Sequence, residues 1–366
     1  MFFLDVVNTV KKFYFNKKFI ERYKSFMESE EYLKINEISK SQYWKYFADQ
    51  VNVRIDSDSI TVKGKSGFYI PKELGFLNRV YIFLKKAWHV VNCLTYCVLQ
   101  RKSSTNLISY ERAFNNVMNS SLHPASIGRH AINFRKIAEQ DSTYTSVRNI
   151  KERFSNKYSI NNQIIYSYYI YNILNAYTDL SDKKTILEIG AGNGNLLSVI
   201  HNNVPGVSVI DVDLPESLSH AILYISDLYP NANILMPHEA DGKDFNDYDF
   251  VFLTPNQISL IDDNSIDVSI NTFSFQEMSH AQIKEYFDLV QRSGRNNSLF
   301  MTANRVEKIP YVNLGSDSDC EYMPNRFSEY PWSIVNEVLI YQICEFMRQV
   351  QSHSVFIRME RVNGNL

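Results

Sequence analysis

Two patterns of hydrophobic and polar positions divide this chain of 366 residues. In the first part, apolar residues such as Phe19, Tyr23 and Phe26 recur with helical spacing, which predicts helices that bury one face. In the second part, short apolar runs are separated by Gly, Asn and Asp, which is typical of strands joined by turns. The sequence therefore predicts a mainly helical region over residues 1–150 and an α/β domain over residues 151–366.

Glycines cluster near the start of the predicted α/β domain. The chain has only 12 glycines, yet Gly190, Gly192 and Gly194 fall within one short segment. An apolar run typical of a buried strand, 184–189, precedes them, and a helix-like run begins at Asn195. A strand, a glycine turn and a helix form the crossover that binds ligands in nucleotide-type α/β folds, because glycine lets the backbone approach a ligand closely.

The residues around this turn favour a cationic ligand over a dinucleotide. A dinucleotide-binding turn would have its third glycine at position 195, which is Asn, and its pyrophosphate disfavours a nearby acid. Glu188 precedes the first glycine by two positions, which suits S-adenosylmethionine with its sulfonium and ammonium groups. A second acid is expected about 20 residues later to bind the ribose hydroxyls. Asp213 is the first choice for it and Asp211 the second, while a tight turn without a ligand is the alternative.

The chain resembles the S-adenosylmethionine-dependent methyltransferases with a Rossmann-like sheet of seven strands, whose first motif corresponds to Glu188-Ile-Gly-Ala-Gly-Asn-Gly. Four later segments resemble the sugar O-methyltransferases of bacterial surface-polysaccharide clusters: Asp211-Val-Asp-Leu-Pro, Tyr248-Asp-Phe-Val-Phe, Ser265-Ile-Asp-Val-Ser and Ala303-Asn-Arg-Val-Glu-Lys. The resemblance covers roughly residues 160–335. It implies an α/β fold with an antiparallel C-terminal hairpin, S-adenosylmethionine as cofactor and a sugar hydroxyl as acceptor.

The resemblance places the cofactor at the carboxyl ends of the strands, where open parallel sheets bind ligands. The third strand is expected at 249–253 and the fourth at 266–271, although the long segment before 249 leaves the third assignment open. Amides in the turn after the third strand would contact the adenine, since each offers a donor and an acceptor. The expected cofactor-binding residues are Glu188, Gly190, Ala191, Gly192, Asn193, Asp213, Leu214, Asn256, Gln257 and Asn271.

The segment from Asn271 to His280 is expected to border the transferred methyl group, because it follows the fourth strand at its carboxyl end. Glu277 and His280 are the candidate catalytic bases, since a buried carboxylate or a neutral imidazole can accept a proton near neutral pH. His280 can equally be a surface residue in the first turn of a helix.

Arg305 follows the predicted fifth strand, 298–303, and its planar guanidinium matches a carboxylate or phosphate on the acceptor. The alternative for this side chain is an ion pair with Glu307 or Glu277. The expected substrate-binding residues are Ser274, Gln276, Asn304 and Arg305.

The C-terminal part is predicted to contain a long loop and two strands. Residues 309–331 have little apolar period and are expected to form a lid, and the strands are expected over 335–346 and 354–362. Tyr330 and Trp332 can stack on a sugar, although aromatic residues lie more often in the core.

The net charge of −2 hides a division of charge along the chain. Residues 1–150 hold 23 Lys and Arg against 13 Asp and Glu, a net of +10, whereas residues 151–366 hold 15 against 27, a net of −12. A basic half indicates either an anionic partner or a surface that docks on the acidic half. No finger, RNA-binding signature or dense basic run occurs, so nucleic acid is not an expected partner.

Cysteine content and the chain's apolar segments indicate a cytoplasmic protein. The four cysteines lack the spacing of a disulfide framework or a zinc site, and Asp5 interrupts the apolar start that an export signal would need. The longest apolar segment, 76–99, contains two lysines, an arginine and a histidine, which a membrane span would have to bury. No cluster of acids with metal-binding spacing occurs, so no metal is expected.

The resemblance implies O-methylation of a sugar hydroxyl in a surface glycan or its precursor, with an acceptor that can be anionic. The protein would then work in the cytoplasm or at the inner face of the membrane, in peripheral contact with the membrane or with polysaccharide assembly proteins. Two alternatives stay open. One is a methyltransferase of a small lipid or metabolite, and the other is a non-catalytic methyltransferase-like scaffold.

Overall fold

The computed structural model describes residues 9–33, 51–64, 162–180, 184–308, 324–350 and 354–363. Within these ranges the helices are α1 (Lys17–Glu28), α2 (Glu30–Leu33), α3 (Asn162–Tyr177), α4 (Asn195–Asn203), α5 (Pro215–Leu228), α6 (His280–Ser293) and α7 (Glu345–Val350). The strands are β1 (Thr9–Tyr14), β2 (Val51–Ile55), β3 (Ser59–Gly64), β4 (Thr185–Ile189), β5 (Ser208–Val212), β6 (Ile234–Leu235), β7 (Phe250–Leu253), β8 (Ile266–Thr272), β9 (Gly294–Arg305), β10 (Glu307–Lys308), β11 (Asn325–Arg326), β12 (Glu337–Ile343) and β13 (Val355–Val362).

An eight-stranded sheet organises the chain from β4 onward, in the order β12-β13-β9-β8-β4-β5-β7-β6. The strands from β9 to β6 in this order pair in parallel, whereas β13 is antiparallel to both β9 and β12. The predicted α/β fold and the antiparallel C-terminal pair are therefore confirmed. The predicted number of seven strands is wrong, because β6 adds an eighth strand beside β7. β6 has only two residues, too few to give a recognisable pattern.

The central strands β4, β5 and β7 are buried along their whole length, which explains why they are rich in apolar residues. Alternate residues of each strand enter two separate core clusters. Ile186 and Val209 pack on the side of α3, α4 and α5, and Leu187 and Ile210 pack on the side of α6. The two layers of helices hold the carboxyl ends of β4, β5 and β8 at one edge of the sheet, and that edge carries the candidate site.

The N-terminal part contains a small antiparallel sheet, in the order β1-β3-β2, beside the amphipathic helix α1. The prediction of a mainly helical first part missed this sheet, whose strands carry many polar residues. Residues 65–150, which include the apolar segment 76–99, lie outside the described residues. Phe13, Tyr23 and Ile60 join the same core cluster as α3, α4 and α5, so the described N-terminal elements share a core with the α/β part.

A bidentate ion pair joins the N-terminal elements to the α/β part. Arg22 donates through Nε and Nη2 to the two carboxylate oxygens of Glu239, both at 2.7 Å, and Nη2 also donates to the carbonyl of Ile234 at 2.7 Å. Burial acts to raise the pKa of Glu239, but the Arg22 guanidinium outweighs it, so this pKa is lowered. The contact is of the kind expected if the basic first half docks on the acidic second half.

Arg22→Met is expected to lower the free energy of unfolding by about 1–3 kcal/mol, because it leaves the Glu239 carboxylate without its partner in a half-buried place. Urea denaturation at pH 7 measures the change. Lys17→Met removes an exposed cation 3.7 Å from Glu21 and should change stability by less than about 0.5 kcal/mol. Equal losses in the two variants would contradict a docking role for Arg22.

None of the helices in the described ranges combines the length and the apolar character that a bilayer span requires. The final part of the predicted loop, 324–331, is ordered into β11 and the short 3-10 helix Phe327–Glu329. The remainder of that loop, 309–323, lies outside the described residues.

Candidate active site

The glycine turn between β4 and α4 forms one wall of the site. Gly190, Gly192 and Gly194 have φ values of +74°, +64° and +80°, in the left-handed region that favours glycine. A Cβ added to Gly190 would lie 2.3 Å from Ser274 Oγ, so the turn and the segment after β8 pack without spare room. A Cβ added to Gly192 would meet nothing within 4 Å, so the backbone there borders open space.

A cavity of about 50 Å³ lies against this turn, at the carboxyl ends of β4, β5 and β8. Ligands of open parallel sheets bind at this edge. The cavity is lined by Gly190, Gly192, Asp213, Leu214, Ser274, Glu277, Met278 and Gln282. Four of the expected cofactor residues, one expected base and one expected acceptor residue therefore meet at a single place.

Two buried carboxylic acids lie side by side beneath the turn. Glu188 on β4 and Asp211 on β5 are direct partners in the sheet register, and both are buried. Burial, with the nearby charge of Asp213, raises the pKa of Glu188 to about 8. Glu188 Oε2 is buried and has no hydrogen-bond partner in the described part of the chain.

Asp211 is in a similar environment. Neither of its two oxygens has a hydrogen-bond partner among the described residues. The Ala191 backbone N–H is nevertheless close enough to lower the pKa of Asp211 against the effect of burial. Burial raises the pKa of Asp211 well above its ordinary value, and the charges of Asp213 and Glu188 add to the effect. This part of the site therefore lacks positive charge, and a bound cation would favour the ionised acids.

Asp213 links β5 to the glycine turn. One carboxylate oxygen accepts from the Gly192 N–H and the other from the Leu214 N–H, both at 2.7 Å. Burial raises the pKa of Asp213 to about 7, while these backbone hydrogen bonds oppose the rise. Each carboxylate oxygen can accept a further hydrogen bond, so the side chain can still bind a pair of hydroxyls.

Asn271 holds the site together from below and does not line the cavity. It is fully buried; its Nδ2 donates to the carbonyl of Ile189 at 2.9 Å and to Ser274 Oγ, and its Oδ1 accepts from Asn304 Nδ2 at 2.8 Å. Because Ile189 ends β4, Asn271 fixes where the glycine turn begins. The structure thus gives Asn271 a positioning role beneath the turn, and its direct contact with the cofactor stays a prediction.

Gln276 and Asn304 continue this buried network and are likewise outside the cavity lining. The Gln276 N–H donates to Asn304 Oδ1 at 3.3 Å, and the Arg305 N–H donates to Gln276 Oε1 at 2.9 Å. Both amide side chains are buried. Of the four residues expected to bind the acceptor, these two position the backbone around Arg305, and Ser274 lies at the cavity.

The two amide residues expected on the adenine side, Asn256 and Gln257, differ in their surroundings. Gln257 Oε1 accepts from the Thr254 N–H at 3.0 Å, and its Nε2 donates to the carbonyl of Pro237 at 2.8 Å. Both ends of this amide thus hold the turn after β7, and one N–H of Nε2 is left for a further acceptor. Asn256 on the same turn is exposed and keeps its side chain available.

Glu277 lines the cavity and forms an ion pair with Lys308, whose Nζ lies 2.5 Å from Glu277 Oε1. Burial raises the pKa of Glu277 against the opposing charge of Lys308. Burial likewise lowers the pKa of Lys308 against the opposing charge of Glu277. Lys308 was not predicted as a site residue; its position just beyond the fifth predicted strand was the available signal.

The remaining expected residues lie around the cavity. His280 is the first residue of α6, exposed and outside the cavity lining, as the surface interpretation predicted. Asn193 Oδ1 accepts from Asn195 Nδ2 at 2.5 Å, and Asn195 Nδ2 also donates to Gln163 Oε1 at 2.8 Å, which ties the glycine turn to α3. Ala191 lies within that turn.

Tyr330 and Trp332 belong to an aromatic cluster in the core. The centroid of the Trp332 ring lies 5.1 Å from that of Phe287 and 5.2 Å from that of Phe327. Tyr330 is buried. The core interpretation of these two residues is the one the structure supports. Across the described ranges, no group of three or more His, Cys, Asp or Glu side chains is arranged to hold a metal ion.

No protein-family model matches the chain, and no curated protein matches it. Among solved structures it is similar to a phosphoethanolamine N-methyltransferase from Haemonchus contortus, at 13% identity over 53% of this chain and 42% of that chain, with a TM-score of 0.35. It is also similar to a geranyl diphosphate C-methyltransferase from Streptomyces coelicolor A3(2), at 11% identity over 69% of this chain and 97% of that chain, with a TM-score of 0.37.

A third similar structure, from Galdieria sulphuraria, is proposed to be a sarcosine dimethylglycine methyltransferase. Identity is 15% over 39% of this chain, the TM-score is 0.31, and the match spans 47% of that chain, about half its length. At these identities and TM-scores, the similarities carry no conclusion about the function of this chain.

Proposed function

We propose that this protein transfers a methyl group from S-adenosylmethionine to a hydroxyl group of a sugar or glycan precursor. The observation that carries the proposal is the buried Glu188 carboxyl, whose Oε2 has no hydrogen-bond partner in the described ranges, beneath a glycine turn that borders open space at Gly192. A ligand with positive charge and a ribose fits these groups, because a cation favours ionisation of the three acids, whereas a pyrophosphate brings them no positive charge.

The residues present would hold the cofactor from two sides. The backbone around Gly190 and Gly192 would lie against it, and Asp213 would bind the ribose hydroxyls. Glu188 is buried outside the cavity lining and would supply negative charge beneath the positively charged end of the cofactor. When bound, S-adenosylmethionine supplies a methyl group on a sulfonium, which is already activated for transfer. The protein therefore has to position the acceptor and remove one proton.

Positioning should contribute most of the rate enhancement. Holding the acceptor oxygen in line with the methyl carbon can contribute about 7–11 kcal/mol to lowering the barrier. Glu277 lines the cavity and is the candidate base, since it can accept the hydroxyl proton as the oxygen–carbon bond forms. A positioned base adds about 10²–10⁴-fold, so a variant without Glu277 should keep measurable turnover.

The sugar acceptor rests on the resemblance of the four sequence segments to sugar O-methyltransferases. A comparison of the surface glycan from cells with and without the gene tests it, since methylation adds one CH₂ to each modified sugar in the mass spectrum. Loss of that CH₂ from a lipid or metabolite, with the glycan unchanged, would favour the alternative acceptor.

Asp213→Asn is expected to weaken binding of S-adenosylhomocysteine about 10- to 100-fold, because a carboxylate bound to two ribose hydroxyls contributes about 1.4–2.8 kcal/mol more than an amide. Calorimetric titration measures the affinity. Asp262→Asn, an exposed acid outside the cavity lining, is the matched control and should bind as the wild type does. Absence of binding to the wild type would overturn the cofactor assignment and favour the scaffold alternative.

A further inference from the structure

Arg305, the last residue of β9, has a guanidinium that the rest of the described chain leaves without an acid. Its backbone N–H is fixed by Gln276 Oε1 at 2.9 Å, which sets where the side chain starts. Its Nε is buried and has no hydrogen-bond partner in the described ranges. A buried donor of a charged group that lacks an acceptor is costly, so this atom marks a place where an acceptor oxygen would be stabilised.

The nearby acids in the described ranges are engaged elsewhere. Glu307 and Glu329 both pair with Arg326, at 2.7 Å and 3.0 Å. Glu277 pairs with Lys308 at 2.5 Å. The alternative role of Arg305, an ion pair with Glu307 or Glu277, is therefore not seen among the described residues.

Arg305 nevertheless lies close to the Glu277–Lys308 pair. Its positive charge opposes the rise in the pKa of Glu277 that burial causes, and it adds to the fall in the pKa of Lys308. The three side chains thus form one cluster, and Glu277 connects this cluster to the cavity. The Arg305 guanidinium, whose Nε has no hydrogen-bond partner in the described ranges, favours an anionic group beside the expected position of the acceptor.

We propose that Arg305, with Lys308, binds an anionic group of the methyl acceptor, a carboxylate or a phosphate, while Glu277 faces the hydroxyl that is methylated. The proposal rests on the function proposed above and specifies its substrate class. The planar guanidinium fork matches two oxygens of either anion, which a single ammonium group does not.

The geometry also restricts which hydroxyl reacts. Glu277 Oε1 and Lys308 Nζ are in contact, so an anion that reaches Lys308 and a hydroxyl that reaches Glu277 must be only a few bonds apart on the acceptor. A sugar acid or a sugar phosphate with the hydroxyl near its charged substituent satisfies this condition.

In the reaction the acceptor oxygen would bond to the methyl carbon, and the sulfur–carbon bond would break with its electron pair on sulfur. The hydroxyl proton would pass to Glu277 and then to water.

The test follows the Nε–H signals of arginine side chains by NMR during titrations of the full chain with inorganic phosphate and with acetate, at constant ionic strength. The Arg305 signal is the wild-type signal that is absent from the Arg305→Gln spectrum. In the wild type, this signal should shift until saturation as at least one of the two anions is added. It should not shift when chloride replaces the anion. The anion that binds more tightly distinguishes a phosphate from a carboxylate on the acceptor.

Arg295→Gln is the matched control, because Arg295 lies at the opposite end of β9 and pairs with Asp267 at 2.7 Å. This variant should keep the anion-dependent shift. Arg305→Lys keeps the positive charge but has no guanidinium Nε–H, so the signal should be absent from its spectrum as well. The lysine variant also provides the comparison if the glutamine variant does not fold. A signal of Arg305 that ignores both anions, or that responds equally to chloride, would overturn the proposal.

Binding of S-adenosylhomocysteine, measured separately, tells the two proposals apart. If the wild type binds S-adenosylhomocysteine and the anions do not affect Arg305, the substrate class is wrong and the methyltransferase proposal stands. If the anions bind and S-adenosylhomocysteine does not, the cofactor assignment fails and the anion site stands.

Discussion

Gly190→Ala is expected to abolish detectable binding of S-adenosylhomocysteine and to lower the free energy of unfolding by roughly 2–5 kcal/mol. The left-handed backbone at φ +74° costs an alanine about 1–2 kcal/mol. The added Cβ would lie 2.3 Å from Ser274 Oγ and 2.4 Å from Ser274 Cβ, and such overpacking costs about 1–3 kcal/mol. Ser274 cannot easily move away, because its Oγ donates to the Ile189 carbonyl at 3.0 Å and accepts from Asn271.

Two other glycines separate backbone strain from the other effects of the substitution. Gly242 has φ +67°, and a Cβ there meets nothing within 4 Å, so Gly242→Ala in an exposed turn should show strain alone and bind normally. Gly192 has φ +64° and equally free space, but that space is where the cofactor is proposed to lie. Gly192→Ala should therefore match Gly242→Ala in urea denaturation and lose affinity in calorimetry. Normal binding by Gly192→Ala would contradict the placement of the cofactor.

The part of the fold that the sequence predicted best is the parallel sheet, because its strands are buried on both faces. Ile186 and Leu187 face opposite core clusters, so both faces of β4 are buried and its apolar residues do not alternate with exposed polar ones. The glycine turn was equally clear, since three left-handed residues in five positions need glycine. The pairing of Glu188 with Asp211 follows from the strand register, which the sequence alone does not give.

Amide side chains were the least predictable part of the site. An amide at the carboxyl end of a strand can serve either the ligand or the turn, and its residue type does not tell which. Gln257 and Thr254 form a capping box at a spacing of three residues, a local signal that was available. The bond between Asn271 and Asn304 joins residues far apart in the chain, and the sequence carries no local signal for it.

Without cofactor, the free energy of unfolding of the wild type is expected to fall as pH rises. Glu188→Gln is expected to make this fall smaller. The pKa of Glu188 is about 8 in the folded protein, against an ordinary value of 4.5. Below pH 4.5 the group is protonated in both states and its contribution to stability is fully present. Between pH 4.5 and 8 the unfolded chain loses the proton first, so the free energy of unfolding falls by up to about 1.4 kcal/mol per pH unit. Urea denaturation between pH 5.5 and about 8.5 measures this slope.

The same variant tests whether Glu188 interacts with the positive charge of the cofactor. Asp211 and Asp213 remain in Glu188→Gln and both have raised pKa values, so a shallower slope should persist. In the wild type, S-adenosylmethionine should reduce the slope more than S-adenosylhomocysteine does, because only the former carries the sulfonium charge that favours the ionised acid. In Glu188→Gln this difference between the two ligands should shrink.

Glu285→Gln makes the same chemical change at an exposed position of α6 and should keep the wild-type slope. If Glu188→Gln also kept it, the acid would not be protonated in the folded protein. The proposed role of this carboxyl in holding a cation would then lose its support.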